Sequence, residues 1–232
     1  MRTIGLIGGM SWESTVSYYQ TINRVVGDRL GGLHSARIVI YSVDFQEIEE
    51  LQRKGDWNET GRILGEAAVA LRAAGAEFLV LATNTMHKVA EAITDASHLP
   101  VLHIADATAE AVESDGIDTV GLLGTRYTME QDFYRARLEE KHGLRVLVPD
   151  ENDRRVVNDT IFDELCRGRI LDGSRNRYVR IIESLVDRGA EGIILGCTEI
   201  GLLVGEENSS VPIFDTSRIH AEAAALEALN GD

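Results

Sequence analysis

The stretch "AEGIILGCTEIG", residues 190–201, places a cysteine at the end of an apolar run. Cys197 is one of two cysteines in the chain, and Thr198 and Glu199 follow it directly. A thiol can serve as a base or a nucleophile, because its ordinary pKa of about 8.5 can be lowered towards neutrality by amide donors and helix N-termini. A small buried core residue is the simpler interpretation of this position taken alone. The sequence around Cys197 therefore has to decide between a chemical and a structural role.

The first half of the chain repeats the pattern around this cysteine. "GAEFLVLATNT" from Gly75 aligns with "GAEGIILGCTE" from Gly189, and this alignment places Thr83 opposite Cys197. The same alignment places Asn84 opposite Thr198 and Thr85 opposite Glu199. "TIGLIG" also matches "TVGLLG", and "LPVLHIADATAEA" matches "VPIFDTSRIHAEA", in the same order along the chain. A repeat of this kind favours chemistry at Cys197 and a matching position at Thr83, although Thr83 is also a plausible cap of its strand.

The elements between these motifs alternate in type. Short apolar runs rich in β-branched residues, such as "TIGLIGG", "ARIVIYSV", "EFLVLAT" and "PVLHI", are separated by segments with helical periodicity. This pattern predicts an α/β fold of two pseudo-symmetric lobes, each a mostly parallel sheet flanked by helices. We expect the first lobe to comprise residues 1–98 and about 211–232, and the second about 99–210. Ligands of open parallel sheets bind beyond the carboxyl ends of the strands, so we expect the active site between the lobes.

The composition excludes several classes of protein. The chain has a formal net charge of −15, whereas nucleic-acid binding requires concentrated Lys and Arg. No apolar run approaches the roughly 18 residues of a membrane span, and the N-terminus lacks the pattern of a signal peptide. Two unclustered cysteines form neither a disulfide framework nor a zinc site. We therefore expect a cytoplasmic protein with a small-molecule ligand, no metal, and neither nucleic acid nor membrane as partner.

Three motifs together resemble the aspartate/glutamate racemase family, which also includes hydantoin racemases. They are "IGLIGGMSWEST" at the start of the chain, "TNTMH" after a strand of the first half, and "GCTEI" after the equivalent strand of the second. The resemblance covers essentially the whole chain. It implies a cofactor-independent racemase, without pyridoxal phosphate or metal, in which two acid/base residues flank the substrate Cα. It also implies a homodimer.

The chain departs from the commonest pattern of this family, in which both strand ends carry cysteine. A threonine hydroxyl has a pKa far above neutrality, so Thr83 cannot hold a standing negative charge, yet it can donate or relay a proton. A Thr/Cys pair resembles the family members that are selective for L-aspartate and L-glutamate. We therefore expect Cys197 to remove the Cα proton and Thr83 to return one to the opposite face.

Further residues are candidates for binding the substrate. The glycine turn "GLIGGMSW" could present Met10 and Ser11 to a carboxylate, or it could be only a tight strand-to-helix turn. In the second half, Thr125 or Thr128 of "GTRYTMEQ" occupies the matching turn. The resemblance also suggests that a side chain of "DFQEIEELQRKGDW" reaches the ligand; Gln52 is the first choice and Arg53 the second, while a plain surface helix is the alternative.

The residues that follow Thr83 and Cys197 complete the predicted site. Asn84 and Thr198 are expected to donate to the α-carboxylate or to contact the amine, and Thr85 is a further substrate-binding candidate. We expect Glu199 to hold the substrate ammonium or to orient a neighbour. His87 is expected to cap or pack the following helix, and the other cysteine, Cys166, is expected to be structural.

Two other functions remain open at this stage. A single cysteine is compatible with a decarboxylase or isomerase of the same superfamily, such as the arylmalonate decarboxylases and maleate isomerases. A protein of two lobes with a cleft is also compatible with binding an amino acid without turnover. The full "TNTMH" and "GCTEI" turns favour the amino-acid racemases over the first alternative, whereas the loss of cysteine symmetry at Thr83 would suit the second, as a decayed enzyme.

Overall fold

The computed structural model describes residues 1–230, which divide into two compact units. Unit 1 contains Met1–Ile104 and the chain from His220 onward, and unit 2 contains Ala105–Ile219. Each unit has one four-stranded, all-parallel sheet with helices packed against it. The predicted class of two α/β lobes is therefore confirmed.

Unit 1 is built around the sheet order β2-β1-β3-β4. Its elements, in chain order, are β1 (Ile4–Gly8), α1 (Trp12–Leu30), β2 (Ile38–Ser42), α2 (Phe45–Lys54), α3 (Trp57–Ala73), β3 (Phe78–Leu81), a 3-10 helix (Thr85–Val89), α4 (Ala90–Ser97) and β4 (Val101–Leu102). The chain then enters α5 (Ile104–Ser114), which leads into unit 2.

Unit 2 repeats this arrangement with the order β6-β5-β7-β8. Its further elements are β5 (Thr119–Gly124), α6 (Arg126–Glu130), α7 (Asp132–Ala136), a π-helical turn (Arg137–Lys141), β6 (Arg145–Leu147), α8 (Glu151–Asp163), a 3-10 helix (Leu165–Arg167), α9 (Asp172–Asp187), β7 (Gly192–Gly196), two 3-10 helices (Ile200–Leu202 and Glu206–Asn208), β8 (Ile213–Asp215) and α10 (Thr216–Leu229). From His220 onward α10 belongs to unit 1, so the chain passes between the units twice.

The internal repeat extends to individual hydrogen bonds. The amide of Glu77 donates to the carbonyl of Thr3 over 2.9 Å, and the amide of Glu191 donates to the carbonyl of Thr119 over 2.8 Å. Both bonds connect the beginnings of the two central strands of a sheet. The two halves therefore share one local geometry, and β3 and β7 occupy equivalent positions in their sheets.

The apolar residues of the strands explain why helices cover the sheet. On β3, Phe78 and Val80 pack in one cluster with α1 and α10, whereas Leu79 and Leu81 pack in another with α3. Strands that are apolar on both faces are typical of parallel sheets covered by helices on both sides. In unit 2, Ile193 and Leu195 of β7 pack with residues of α8 and α9 in one cluster.

The lobe boundaries expected from the repeat, with a second lobe of about 99–210, stay a prediction. In the structure β4 pairs with β3 and β8 pairs with β7, so each chain crossing follows the fourth strand of its sheet. Among residues 1–230, no helix is both long and apolar enough to span a membrane.

Candidate active site

Cys197 lies at the carboxyl end of a central strand of unit 2, as its first residue beyond β7. The strand is buried throughout, and the carbonyl of Cys197 accepts a hydrogen bond from the amide of Ile200. The preceding residue is Gly196, where a Cβ would lie 3.0 Å from the carbonyl oxygen of Leu123 on β5. Glycine at this position therefore allows close approach of the two strands just before the cysteine.

Glu199 accepts two side-chain hydrogen bonds at this strand end. Its Oε2 accepts a hydrogen bond from the thiol of Cys197 over 3.0 Å and another from the hydroxyl of Thr198 over 2.8 Å. Cys197 and Glu199 are both buried. Burial, and then the charge of Glu199, hold the pKa of the Cys197 thiol well above its ordinary value. The sequence left a lowered pKa possible, but the thiol lies in a buried site beside a carboxylate, and both features raise its pKa.

Thr83 occupies the equivalent strand end in unit 1, two residues beyond β3. Its amide donates to the carbonyl of Leu81 over 2.8 Å, and the 3-10 helix Thr85–Val89 follows. The side chains of Thr83, Asn84 and Thr85 are all buried. This turn therefore holds three polar side chains at one end of the sheet.

The glycine turn lies beside the Thr83 turn at the same edge of the sheet. Because β1 pairs in parallel with β3, the carboxyl ends of both strands meet there. Ser11 caps α1, since its Oγ accepts the amide of Ser14, and Met10 is buried against Ile48 of α2. The turn is thus a helix N-terminus that presents hydroxyl groups, which suits a carboxylate.

The matching turn of unit 2 has the same construction. Thr125 caps α6, and its Oγ1 lies 3.2 Å from Oγ1 of Thr128; in unit 1, Oγ of Ser11 lies 3.4 Å from Oγ of Ser14. Thr128 also packs on Gly196, the residue before Cys197. The sequence prediction named Ser11, Thr125 and Thr128 but missed Ser14. The same repeat contained the signal, because Ser14 precedes Thr128 by the interval that separates Thr83 from Cys197.

Burial distinguishes the two candidates on α2. Gln52 is only 4% exposed, whereas Arg53 is exposed and paired with Glu49 at 3.8 Å. A buried amide on an otherwise acidic surface helix is consistent with Gln52 as the inward-facing residue of the pair.

The remaining residues singled out from the sequence, Cys166 and His87, are not part of the group of polar side chains described above. Cys166 packs against the apolar cluster of unit 2 that contains Cys197. His87 is buried behind the Thr83 turn. Within residues 1–230 there is no group of three or more His, Cys, Asp or Glu side chains placed to hold a metal ion.

The two strand ends therefore carry complementary chemistry. Unit 2 presents a thiol bonded to a carboxylate, with hydroxyls at Thr125, Thr128 and Thr198. Unit 1 presents the Thr83 hydroxyl with neutral donors beside it. Such groups can move protons and bind carboxylates through neutral hydrogen bonds.

Comparison with known proteins agrees with these features. The profile of the Asp/Glu/hydantoin racemase family matches residues 7–224. The broad specificity amino-acid racemase RacX of Bacillus subtilis is 26% identical over 227 residues, which cover 95% of each chain. A crystal structure from Yersinia pestis, described as a candidate Asp/Glu racemase, is 59% identical with a TM-score of 0.93, and covers 99% of this chain and 100% of its own.

A second structure is that of an aspartate racemase homologue from Pyrococcus horikoshii. It is 36% identical to this chain, with a TM-score of 0.85, and the match covers 99% of this chain and 100% of that one. The chain therefore belongs to the Asp/Glu/hydantoin racemase family and is an isomerase of the amino-acid racemase type.

Proposed function

We propose that this protein racemises L-aspartate, L-glutamate or a related polar amino acid without pyridoxal phosphate. The observation that carries the proposal is the buried hydrogen bond from the Cys197 thiol to Glu199, at the strand end equivalent to the one that bears Thr83. A thiol that can pass its proton to a neighbouring carboxylate becomes a thiolate, which can act as a base. The hydroxyl of Thr83, at the equivalent strand end, can act as a proton donor.

The first step is removal of the Cα proton of the L-substrate by Cys197. The thiol proton passes to Oε2 of Glu199, and the resulting thiolate takes the proton from Cα, which leaves a carbanion. Because the pKa of the thiol is raised in the unliganded protein, this transfer to Glu199 makes the sulfur basic when it is needed. The substrate ammonium can lie near Glu199 and offset its charge.

The carbanion has to be stabilised before it is reprotonated. Negative charge that develops on the α-carboxylate can be taken up by the hydroxyls and amides of the helix N-termini, including Ser11 and Thr128. Asn84, Thr85 and Thr198 are proposed as further donors to the carboxylates and Gln52 as a contact to the side chain of the substrate. All of these donors are neutral, so they stabilise the developing negative charge without forming a strong ion pair with the substrate.

The second step is return of a proton from Thr83 to the opposite face of the carbanion. A hydroxyl is a weak acid, but a carbanion is a strong base and can take its proton. The resulting Thr83 alkoxide regains a proton from water, and Glu199 returns the proton it holds to water, which restores the resting enzyme. The reverse reaction is weak, because an alcohol does not readily become the base that a D-substrate would require. We therefore propose a preference for L-substrates.

The test is a panel of L- and D-amino acids in D₂O, followed by NMR and chiral chromatography. We expect deuterium at Cα of L-aspartate or L-glutamate, slower exchange of the D-enantiomers, and loss of both in Cys197→Ser. Equal rates for the two enantiomers would exclude the assigned roles of Cys197 and Thr83. Decarboxylation of an arylmalonate in place of amino-acid exchange would favour the decarboxylase, and binding without exchange would favour a non-catalytic amino-acid-binding protein.

Two further expectations from the sequence stay predictions. One is the homodimer, which sedimentation would measure, and the other is the cytoplasmic location.

A further inference from the structure

His87 bridges the Thr83 turn to the beginning of α5. Its Nδ1 lies 2.8 Å from the carbonyl oxygen of Thr83, and its Nε2 accepts the amide of Ile104 over 3.2 Å. An amide can only donate, so Nε2 has to be the unprotonated nitrogen. The neutral ring therefore carries its proton on Nδ1 and donates it to Thr83.

The environment of His87 favours this neutral form. The ring of His103 lies 4.5 Å away and that of His220 lies 5.7 Å away, measured between ring centroids, and all three side chains are buried. His220 is held by Tyr18, whose hydroxyl lies 2.9 Å from its Nδ1, and its Nε2 lies 2.9 Å from the carbonyl oxygen of Leu102. A positive charge on His87 would therefore be buried beside two other imidazole rings, which is costly.

We infer that His87 is a positioning residue for Thr83, fixing the catalytic turn by bonding the Thr83 carbonyl at one nitrogen and the Ile104 amide at the other. The inference rests on the proposed role of Thr83 in returning the proton. Ile104 is 17 residues further along the chain and begins a different helix. The bridge thus ties the turn to an element that has its own anchorage, whereas bonds within the turn alone allow it to shift as a unit.

The consequence is specific to one step of the reaction. Cys197 belongs to unit 2 and does not depend on His87, so removal of the Cα proton should continue when the bridge is lost. Return of a proton by Thr83 requires its hydroxyl to be placed within a fraction of an ångström, and misplacement by about 1 Å can cost on the order of 100-fold in rate. A proton returned by Cys197 instead gives exchange with retention of configuration.

The experiment measures the ratio of inversion to exchange for L-substrate in D₂O. We expect His87→Ala to lower this ratio about tenfold or more while Cys197-dependent exchange persists. His87→Asn keeps a donor near the position of Nδ1 but loses the acceptor for the Ile104 amide, so it also breaks the bridge and should show a low ratio. Because His87→Ala can fail to fold, His87→Gln is a second variant: it preserves an acceptor for the Ile104 amide but not the bond to Thr83, and should show a low ratio. Wild-type ratios in both His87→Ala and His87→Gln would overturn the inference.

Ser97 provides a matched control in the same unit. Its hydroxyl donates to the carbonyl of Ile93, four residues earlier, over 2.8 Å and accepts the amide of Leu99 over 3.2 Å, which is the pattern of His87. Ser97 is buried but lies at the end of α4, away from Thr83. Ser97→Ala should therefore lower stability without changing the ratio; an equal fall in Ser97→Ala and His87→Ala would show a merely structural role.

A measurement without turnover keeps this inference separate from the proposed function. Long-range ¹H–¹⁵N spectra of the unliganded protein should show His87 as the Nδ1–H tautomer at pH 7, and amide exchange at Thr83–Val89 should accelerate in His87→Ala but not in Ser97→Ala. A protonated Nε2, or unchanged amide exchange, would overturn the bridge. If the wild type shows the bridge but no Cα exchange, the proposed function fails and the positioning of Thr83 stands.

Discussion

The thiol of Cys197 donates a hydrogen bond to Oε2 of Glu199 over 3.0 Å, and both side chains are buried. A carboxylate beside a thiol disfavours the thiolate in the resting protein, yet it also supplies an acceptor for the thiol proton. The pair therefore places a thiol that is protonated at rest beside a carboxylate that can accept its proton.

Replacement of Glu199 by glutamine separates these two effects. In Glu199→Gln the charge that raises the pKa of Cys197 is removed, so the thiolate becomes more accessible, but the proton acceptor is lost. We expect Cα exchange of L-substrate to fall by about 100-fold or more. Glu183→Gln, which removes an exposed carboxylate on α9, is the matched control and should retain wild-type exchange. Wild-type exchange in Glu199→Gln would contradict the acceptor role.

The raised pKa of Cys197 predicts a particular pH profile for alkylation. Burial and the charge of Glu199 keep the thiol protonated, so the rate of iodoacetamide modification should still be rising at pH 9, beyond the ordinary thiol range. In Glu199→Gln the profile should level off at lower pH. Peptide mass spectrometry separates Cys197 from Cys166. A wild-type rate that is already constant between pH 7 and 9 would show a thiolate at rest and refute the prediction.

A second thiol at position 83 should allow Cα exchange of D-substrates as well as of L-substrates. In Thr83→Cys the weak hydroxyl acid is replaced by a group whose ordinary pKa is about 8.5, which can act as a base towards a D-substrate. We expect Cα exchange of D-aspartate or D-glutamate to rise about tenfold or more. Thr83→Ser, which keeps a hydroxyl, should leave the slow D-exchange unchanged. The assignment of Thr83 fails if the cysteine variant shows no gain.

His220 predicts acid destabilisation of unit 1. Burial lowers the pKa of His220 to about 3 from its ordinary value of 6.5. Below pH 6.5 the unfolded chain therefore binds a proton that the folded chain does not, so stability falls as pH decreases towards 3. The slope from this residue approaches about 1.4 kcal/mol per pH unit.

Urea unfolding between pH 7 and 4 measures this slope. His220→Gln should be less stable than wild type at pH 7, because the contacts with Tyr18 and Leu102 change, but its stability should depend less on pH. His34 is exposed, and His34→Gln should keep the wild-type slope. An unchanged slope in His220→Gln would place the acid sensitivity elsewhere.

Much of the fold and the outline of the candidate site could be predicted from the sequence. Alternating apolar runs and helical segments indicated parallel sheets, and the internal repeat placed Thr83 and Cys197 at equivalent strand ends. These predictions succeed because strand and helix periodicity are local, and because a repeated sequence adopts a repeated geometry. The family also followed from the turns at these strand ends.

Features that depend on the direction of a side chain were harder to predict from the sequence. The spacing of Cys197 and Glu199 did not reveal whether the two side chains meet, so the sequence did not show that burial and a neighbouring carboxylate raise the pKa of the thiol. Adjacent residues Gln52 and Arg53 could be ranked only by resemblance until their burial separated them. In both cases the direction in which a side chain points decides which groups it contacts, and the sequence does not specify that direction.

The sequence by itself determined which residue types stand at the ends of the equivalent strands, because chain order and periodicity fix that assignment. Only the tertiary structure decided what surrounds them: the carboxylate that accepts a hydrogen bond from the Cys197 thiol, and the histidine that joins Thr83 to Ile104. The physical reason is that a pKa and a hydrogen bond depend on atoms within a few ångströms, and folding brings those atoms together from separate elements of the chain.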